Sequence, residues 1–379
     1  MTPRQAVTLL APEVAPVGGM ERALHELANG LLARGMPLTV VARLCAAAPH
    51  PSLRWIRMRG PRRPAAISGP FMAVAGRHLV RRHAAGLVHT QGALIVRSVD
   101  VVTVQFVHHA FAQRRDLPRR QRDTVAHRVN ERADEAVNLA LERWCFGGLR
   151  VRRVVAVSHG IARELRSHFP ALEDRIRVIP NGVDTQRFAP DSGARARVRR
   201  ELGLGDERVA MFVGGDWQRK GLPFALEGLP GADGWRLVVV GQGDVERYRA
   251  MAAELGVADR VHFVGRQTAP ERWLASADAF VSPTAYEAFP LAVLEAASAG
   301  LPLLVTRVNG TEEVLRQGEN GLEITRDGDS VRAALGALAS AEDRARLGAE
   351  ARRSASRYSW AEIVDAHVRL YGELATSAR

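Results

Sequence analysis

Cysteine is almost missing from this chain of 379 residues. Cys45 and Cys145 are the only two. They lie far apart and fit no zinc or redox spacing, which excludes a disulfide scaffold and a zinc module. Long hydrophobic runs are missing too. No stretch approaches the roughly 18 apolar residues that span a bilayer. The first residues, up to Ala11, carry one arginine and a short apolar stretch leading into Glu13, which makes a poor secretory signal. Lysine is rarer still: 53 residues are basic, and Lys220 alone among them is not arginine. Acids are absent from Leu27 to Val99.

What is present is ordinary globular composition, 46% hydrophobic and 25% charged, enough for full cores. At roughly 150 residues per domain the length predicts about two domains. Charge is uneven. Residues 1–180 carry 28 basic and 13 acidic side chains, and residues 181–379 carry 25 and 28. The acid-free stretch is densest in arginine at Arg54, Arg57, Arg59, Arg62, Arg63, Arg77, Arg81 and Arg82, with Trp55, Phe71 and Met72 among them. A basic surface with interleaved apolar residues suits anionic membranes, nucleic acid or acidic substrates. No nucleic-acid-reading motif accompanies it. The ordinary alternative is a compositional preference for arginine on solvated faces.

Apolar runs of strand length alternate with helix-period stretches, the pattern of parallel sheets covered by helices. In the first half the strands are Ala6–Ala11, Leu38–Ala42, Leu87–His89, Val101–Phe106 and Val154–Val157. Met20–Arg34 is an amphipathic helix after the Gly18-Gly19 turn, and Gln121–Phe146 is a long helix. Pro49–Pro70, rich in proline and arginine, reads as an irregular exposed loop. Ile179-Pro180-Asn181-Gly182-Val183-Asp184 reads as a linker. The second half restarts the pattern with strands Val209–Val213, Leu237–Val240, Val261–Val264, Ala279–Val281 and Leu303–Thr306. A helix near Trp360–Leu374 closes the sequence.

Ligands of open α/β sheets sit at the carboxyl ends of the strands. Three segments there carry chemistry. Tyr286-Glu287-Ala288-Phe289-Pro290-Leu291 follows a strand and starts a helix that contains Glu295 and is closed by Gly300 and Pro302. A helix N-terminus suits phosphate, and carboxylates before and within such a helix can accept from sugar and ribose hydroxyls. The plainer alternative makes Glu287 a cap and Glu295 a solvated acid. Val213-Gly214-Gly215-Asp216-Trp217-Gln218-Arg219-Lys220-Gly221 is a strand, a glycine loop and adjacent cations. Gly214 lets the backbone approach a ligand, while Arg219 and Lys220 can hold phosphate and stabilise a leaving nucleoside diphosphate. It is not a Walker A loop. Pro16-Val17-Gly18-Gly19-Met20-Glu21-Arg22 forms the first strand-to-helix turn, where small residues allow close approach; it lacks the dinucleotide fingerprint. Gly241-Gln242-Gly243 is an isolated pair of glycines and weak evidence. His89, His108 and His109 stand at strand ends, and Asp327-Gly328-Asp329 reads as a surface turn.

Together these motifs resemble glycosyltransferase family 4, the retaining enzymes of the GT-B fold, over nearly the whole chain. Pro16–Arg22 resembles the family's N-terminal Gly-Gly-x-Glu-Arg loop. Ser158 with Ile179–Asp184 resembles its inter-domain segment, and Arg219-Lys220-Gly221 its diphosphate-binding pair. Glu287 and Glu295 match its pair of glutamates eight apart. The resemblance implies an α/β chain of two Rossmann-like doubly wound domains facing across a cleft. Residues 1–178 would bind the acceptor, 179–357 the nucleotide sugar, and the 358–379 helix would return to the first domain. It implies a nucleoside-diphosphate sugar donor, a glycan, lipid-linked or small-molecule acceptor, and no cofactor or metal ion. Glu287 would contact the sugar and Glu295 the ribose. Arg219 and Lys220 would neutralise the diphosphate, backbone near Phe289 and Leu291 would meet sugar and phosphate, and Gly18, Gly19 and Gly214 would admit the donor. Three departures stand out. Gly215 replaces a frequent arginine, so Arg219 must serve. Gln105 replaces a frequent histidine, with His108 or His109 as substitutes. Pro290 replaces a frequent glycine and removes one N–H donor.

The expectation is a cytoplasmic retaining glycosyltransferase of envelope glycoconjugate synthesis. It would catalyse with Glu287, Arg219, Lys220 and His109, at the inner face of the membrane. A nucleotide-sugar epimerase of the same fold is the enzymatic alternative, and a basic nucleic-acid-binding protein the non-enzymatic one.

Overall fold

The computed structural model describes residues 5–61, 65–94, 99–114, 125–147 and 151–376. They fall into two compact units. The first takes the described residues through 114, then 125–181 and 360–376, and the second is Gly182–Ser359.

The first unit is built on a seven-stranded sheet in the order Leu53–Arg57, Leu38–Ala42, Val7–Leu10, Leu87–Gln91, Val99–Val104, Val151–Ala156, Ile176–Val178. Every pairing is parallel. The inner strands are runs of Val, Leu and Thr buried on both faces, as parallel strands covered by helices must be. Helix Met20–Ala33 packs Leu24, Leu27, Leu31 and Leu32 into that core, together with Ile363, Val364, Leu370 and Tyr371 of helix Trp360–Thr376. A short parallel ribbon, Glu13–Val14 with Leu44–Cys45, accompanies the sheet.

Two features depart from the sequence reading. Pro49–Pro70 is not a loop throughout. It contains strand Leu53–Arg57 and the start of helix Ala65–His83, with Pro70 inside that helix. The strand is an edge that pairs only with Leu38–Ala42, so it carries exposed Arg54, Trp55 and Arg57 and no buried periodicity. Ile176–Val178, just before the linker, is a further strand on the opposite edge.

The second unit holds a six-stranded parallel sheet in the order Val261–Gly265, Trp235–Val240, Arg208–Val213, Ala279–Ser282, Leu303–Val305, Gly321–Glu323. In chain order this is 3-2-1-4-5-6, the Rossmann arrangement. The strand direction of progress reverses between Arg208–Val213 and Ala279–Ser282, which pair directly. The loops leaving those two strands stand side by side at this switch point, and they are the loops bearing Arg219-Lys220 and Glu287.

Candidate functional site

The site is assembled at this switch point of the second unit. After Val213 the chain turns through Gly214, at φ +148°, and Asp216, the one non-glycine with positive φ among the described residues, at 51°. A single helical turn, Trp217–Lys220, follows. Trp217 is buried and donates from Nε1 to the Gly214 carbonyl at 2.9 Å, which pins the glycine loop from beneath. Gly241 and Gly243, weak evidence in the sequence, have a packing reason. A Cβ on Gly241 would lie 1.9 Å from the Gly214 oxygen, and one on Gly243 2.4 Å from the Trp217 ring.

The cation-bearing turn is stitched to the loop that follows Ser282. The Ala285 N–H donates to the Arg219 carbonyl at 2.9 Å. Arg326 donates through Nη1 to the carbonyls of Arg219, at 2.8 Å, and Pro283, at 2.7 Å, while its guanidinium lies 4.9 Å over the Phe224 ring. Gly221 makes this approach possible: at φ +83°, a Cβ there would fall 2.0 Å from the Pro283 oxygen.

The result is a compact charge cluster. Lys220 Nζ lies 2.5 Å from Glu287 Oε1. The same oxygen accepts from Arg219 Nη1 at 3.2 Å and from the Thr284 hydroxyl at 3.0 Å. Arg219 also donates to the Tyr286 carbonyl at 2.5 Å, and its Nε donates to Asp216 at 3.1 Å. The Glu287 side chain is 12% exposed. Burial pushes its carboxyl upward, but the Lys220 and Arg219 charges and the Thr284 hydroxyl outweigh that and hold it below the usual glutamate range. Gly214 has a second use, since a Cβ there would press on Lys220 Cε at 3.3 Å.

Pro290 is the N-cap of helix Leu291–Ser298 rather than a residue of its first turn, and no side chain caps that helix. Its N-terminal N–H groups therefore have no side-chain partner, which is the arrangement that suits an anion. Phe289 is buried against Tyr358 and Gly310. Glu295 lies within the helix and is 5% exposed, so it is not a solvated surface acid.

The remaining candidates, Asp327 apart, belong to the first unit. Gly18 has φ +96°, and Gly19 is the N-cap of helix Met20–Ala33, with open space where a Cβ would stand. His109 Nδ1 lies 2.7 Å from Glu142, and Arg143 Nε lies 3.2 Å from His109 Nε2. Glu142 also accepts from the backbone N–H groups of His108 and His109. His89 is a core residue bonded to Tyr371 and Thr103. Asp327 caps helix Gly328–Ala337. Sequence reasoning passed over Asp216, Thr284, Arg326 and Glu142. Only Asp216 had a local signal, as an acid in a glycine loop. No group of three or more metal-ligating side chains occurs among the described residues.

Two Rossmann-ordered parallel sheets in one chain are the features of the GT-B fold. Solved structures agree on the fold. WaaG, described as a glycosyltransferase involved in lipopolysaccharide biosynthesis, superposes with a TM-score of 0.78 over 96% of this chain and 99% of its own, at 22% identity. Sucrose-phosphate synthase from Thermosynechococcus elongatus does so with a TM-score of 0.79 over 99% and 100%, at 21% identity. Among sequences, the D-inositol 3-phosphate glycosyltransferase of Acidothermus cellulolyticus is 35% identical over 60% of this chain and 54% of its own. The GDP-mannose-dependent alpha-(1-6)-phosphatidylinositol monomannoside mannosyltransferase of Mycolicibacterium smegmatis is 33% identical over 47% and 51%. The matched region thus spans about half the length of these curated relatives. The Glycosyltransferase Family 4 model matches residues 17–187 and the Glycosyl transferases group 1 model residues 207–341. The chain belongs to the family-4, group-1 glycosyltransferases.

Proposed function

We propose that this chain is a retaining glycosyltransferase that moves a sugar from a nucleoside-diphosphate donor to a glycan, lipid-linked or small-molecule acceptor in envelope glycoconjugate synthesis. One observation carries the reading: the lone lysine of the chain and its arginine neighbour converge on Glu287 at the switch point of the second sheet. The second unit takes the donor and the first the acceptor. A diphosphate brings more negative charge to Lys220 and Arg219 than one carboxylate does. Donor binding therefore exchanges their partner, and frees Glu287 to accept from sugar hydroxyls. Glu295 takes the ribose, Gly214 admits the phosphates, and the N–H groups of Phe289 and Leu291 meet the sugar and phosphate.

In the transfer, the bond from the sugar's anomeric carbon to the diphosphate oxygen breaks as the acceptor oxygen attacks on the same face. The acceptor proton passes to the departing phosphate oxygen. Lys220, Arg219 and the uncapped helix stabilise the charge that develops there, a task these residues perform without a metal ion. In the first unit, His109 is the histidine we assign to the transfer. Gly18 and Gly19 there keep the start of helix Met20–Ala33 clear of side chains for a ligand's approach. The named activities of the relatives favour inositol-bearing acceptors, and the acid-free stretch from Leu27 to Val99 favours work at the inner face of the cell membrane.

A thermal-shift panel of UDP-, GDP- and ADP-sugars selects the donor, because a ligand of the folded state raises Tm. With that donor, Lys220→Ala and Glu287→Ala are each expected to lower transfer roughly 100-fold or more while the circular dichroism spectrum is kept. Normal turnover in both variants overturns the site. Rearranged sugar released without any acceptor identifies an epimerase instead.

A further inference from the structure

Helix Ala65–His83 presents one continuous outer stripe. Ile67, Phe71 and Val74 are 59%, 39% and 70% exposed. Their spacing of four and three residues places them on one side of the helix. His78, Arg81 and Arg82 are exposed as well and extend that side toward the C-terminus. The opposite side is committed: Met72 and Ala73 are buried, and Gly76 lies against Leu10 of the sheet. One flank is committed too, because Gly69 meets Leu141 and Val137 of helix Val125–Gly147. The stripe cannot rotate inward. The start of the helix is held by Asp134, which accepts from the Ala66 N–H at 2.5 Å.

The basic surroundings are local. Gly60 sits against the Phe71 ring, which brings the exposed Arg59 beside the apolar end of the stripe. The neighbouring edge strand exposes Arg54, Trp55 and Arg57. None of these segments contains an acid.

We infer that the Ile67–Phe71–Val74 stripe, with Arg81 and Arg82, docks this chain on an anionic lipid bilayer. The inference deepens the membrane part of the function proposed above, and rests on it for its purpose. Two chemistries meet here that an anionic interface satisfies at once. Branched and aromatic side chains gain by entering the acyl boundary, and guanidinium groups gain at the headgroups. A nucleic-acid backbone would use the arginines and leave Ile67 and Val74 without a role.

Flotation tests this on the full chain, with vesicles of phosphatidylcholine mixed with phosphatidylglycerol against vesicles of phosphatidylcholine alone. The protein is expected to float with the mixed vesicles, and less so as salt is raised. Replacing Ile67, Phe71 and Val74 together by serine removes the flotation. Arg81→Gln and Arg82→Gln each weaken it about fivefold. Donor-induced thermal shift is measured in parallel; it shows that each variant folds, and it reads the donor site independently of lipid. Absent flotation with the donor shift intact overturns the docking surface and leaves the transfer reading standing. Intact flotation without any donor shift does the reverse. Flotation unchanged in the serine variant, or capture by single-stranded RNA in place of vesicles, also overturns the proposed surface.

Discussion

Glu287 is subject to opposing forces. Burial favours its neutral form, while Lys220, Arg219 and the Thr284 hydroxyl favour the carboxylate, and the carboxylate prevails. A carboxyl held below its unfolded value stabilises the fold above that value, about pH 4.3, and ceases to do so as pH falls through the native one. Glu287→Gln keeps the shape and removes the charge, leaving the partly buried Lys220 ammonium without its ion partner. It is expected to cost about 3 kcal/mol near neutrality. Urea unfolding at several pH values should show that gap holding steady down to about pH 5 and closing below it. A gap unchanged in acid would mean the pair contributes nothing through its charge. The members of this cluster stand out in the sequence because they sit in short local motifs and Lys220 is alone of its kind. Arg326 was not legible, because the carbonyls it holds belong to residues 107 and 43 positions away. Glu142 was hidden for the same reason, 33 positions from the histidine it orients.

Helix Met20–Ala33 and helix Trp360–Thr376 meet so closely that Gly30 has no room for a side chain. A Cβ there would lie 2.4 Å from Val364 Cγ2. Arg34 closes the same contact, with Nε 2.5 Å from Asp365 and Nη2 donating to the Ala361 carbonyl at 2.8 Å. Valine has little rotamer freedom in a helix, so it cannot step aside. Gly30→Leu is expected to destabilise the protein by about 2 kcal/mol, read as a lower denaturant midpoint. A midpoint that does not fall would place the helices farther apart. The inner strands of both sheets were readable because burial on two faces favours short runs rich in Val and Leu. The edge strand Leu53–Arg57 was not, because solvent on one side admits arginine. Pro70 argued against a helix that nonetheless runs through it; helix Ala65–His83 is held by packing on the sheet and on helix Val125–Gly147, which local propensity does not register.

At the scale of the molecule, the last described helix belongs to the first unit. Ile363, Val364, Leu370, Tyr371 and Leu374 share one core with Leu9, Leu24 and Leu31, and the Tyr371 hydroxyl lies 2.7 Å from His89. Deleting the residues from Trp360 onward is expected to strip hydrogen-exchange protection from the strands around Val7–Leu10 while those around Arg208–Val213 keep theirs. Equal protection in both sheets would refute this shared core. The doubling of the βα pattern and its break near Ile179–Asp184 were legible from composition and punctuation, whereas the order of strands within each sheet depends on pairings between distant segments. This arrangement also sets a timetable for biosynthesis. The segment that completes the first unit leaves the ribosome after the whole of the second, so the earlier half waits with an open seam while the later half can already close. A chaperone that shields leucine-rich surface during translation would find its client in the portion synthesised first.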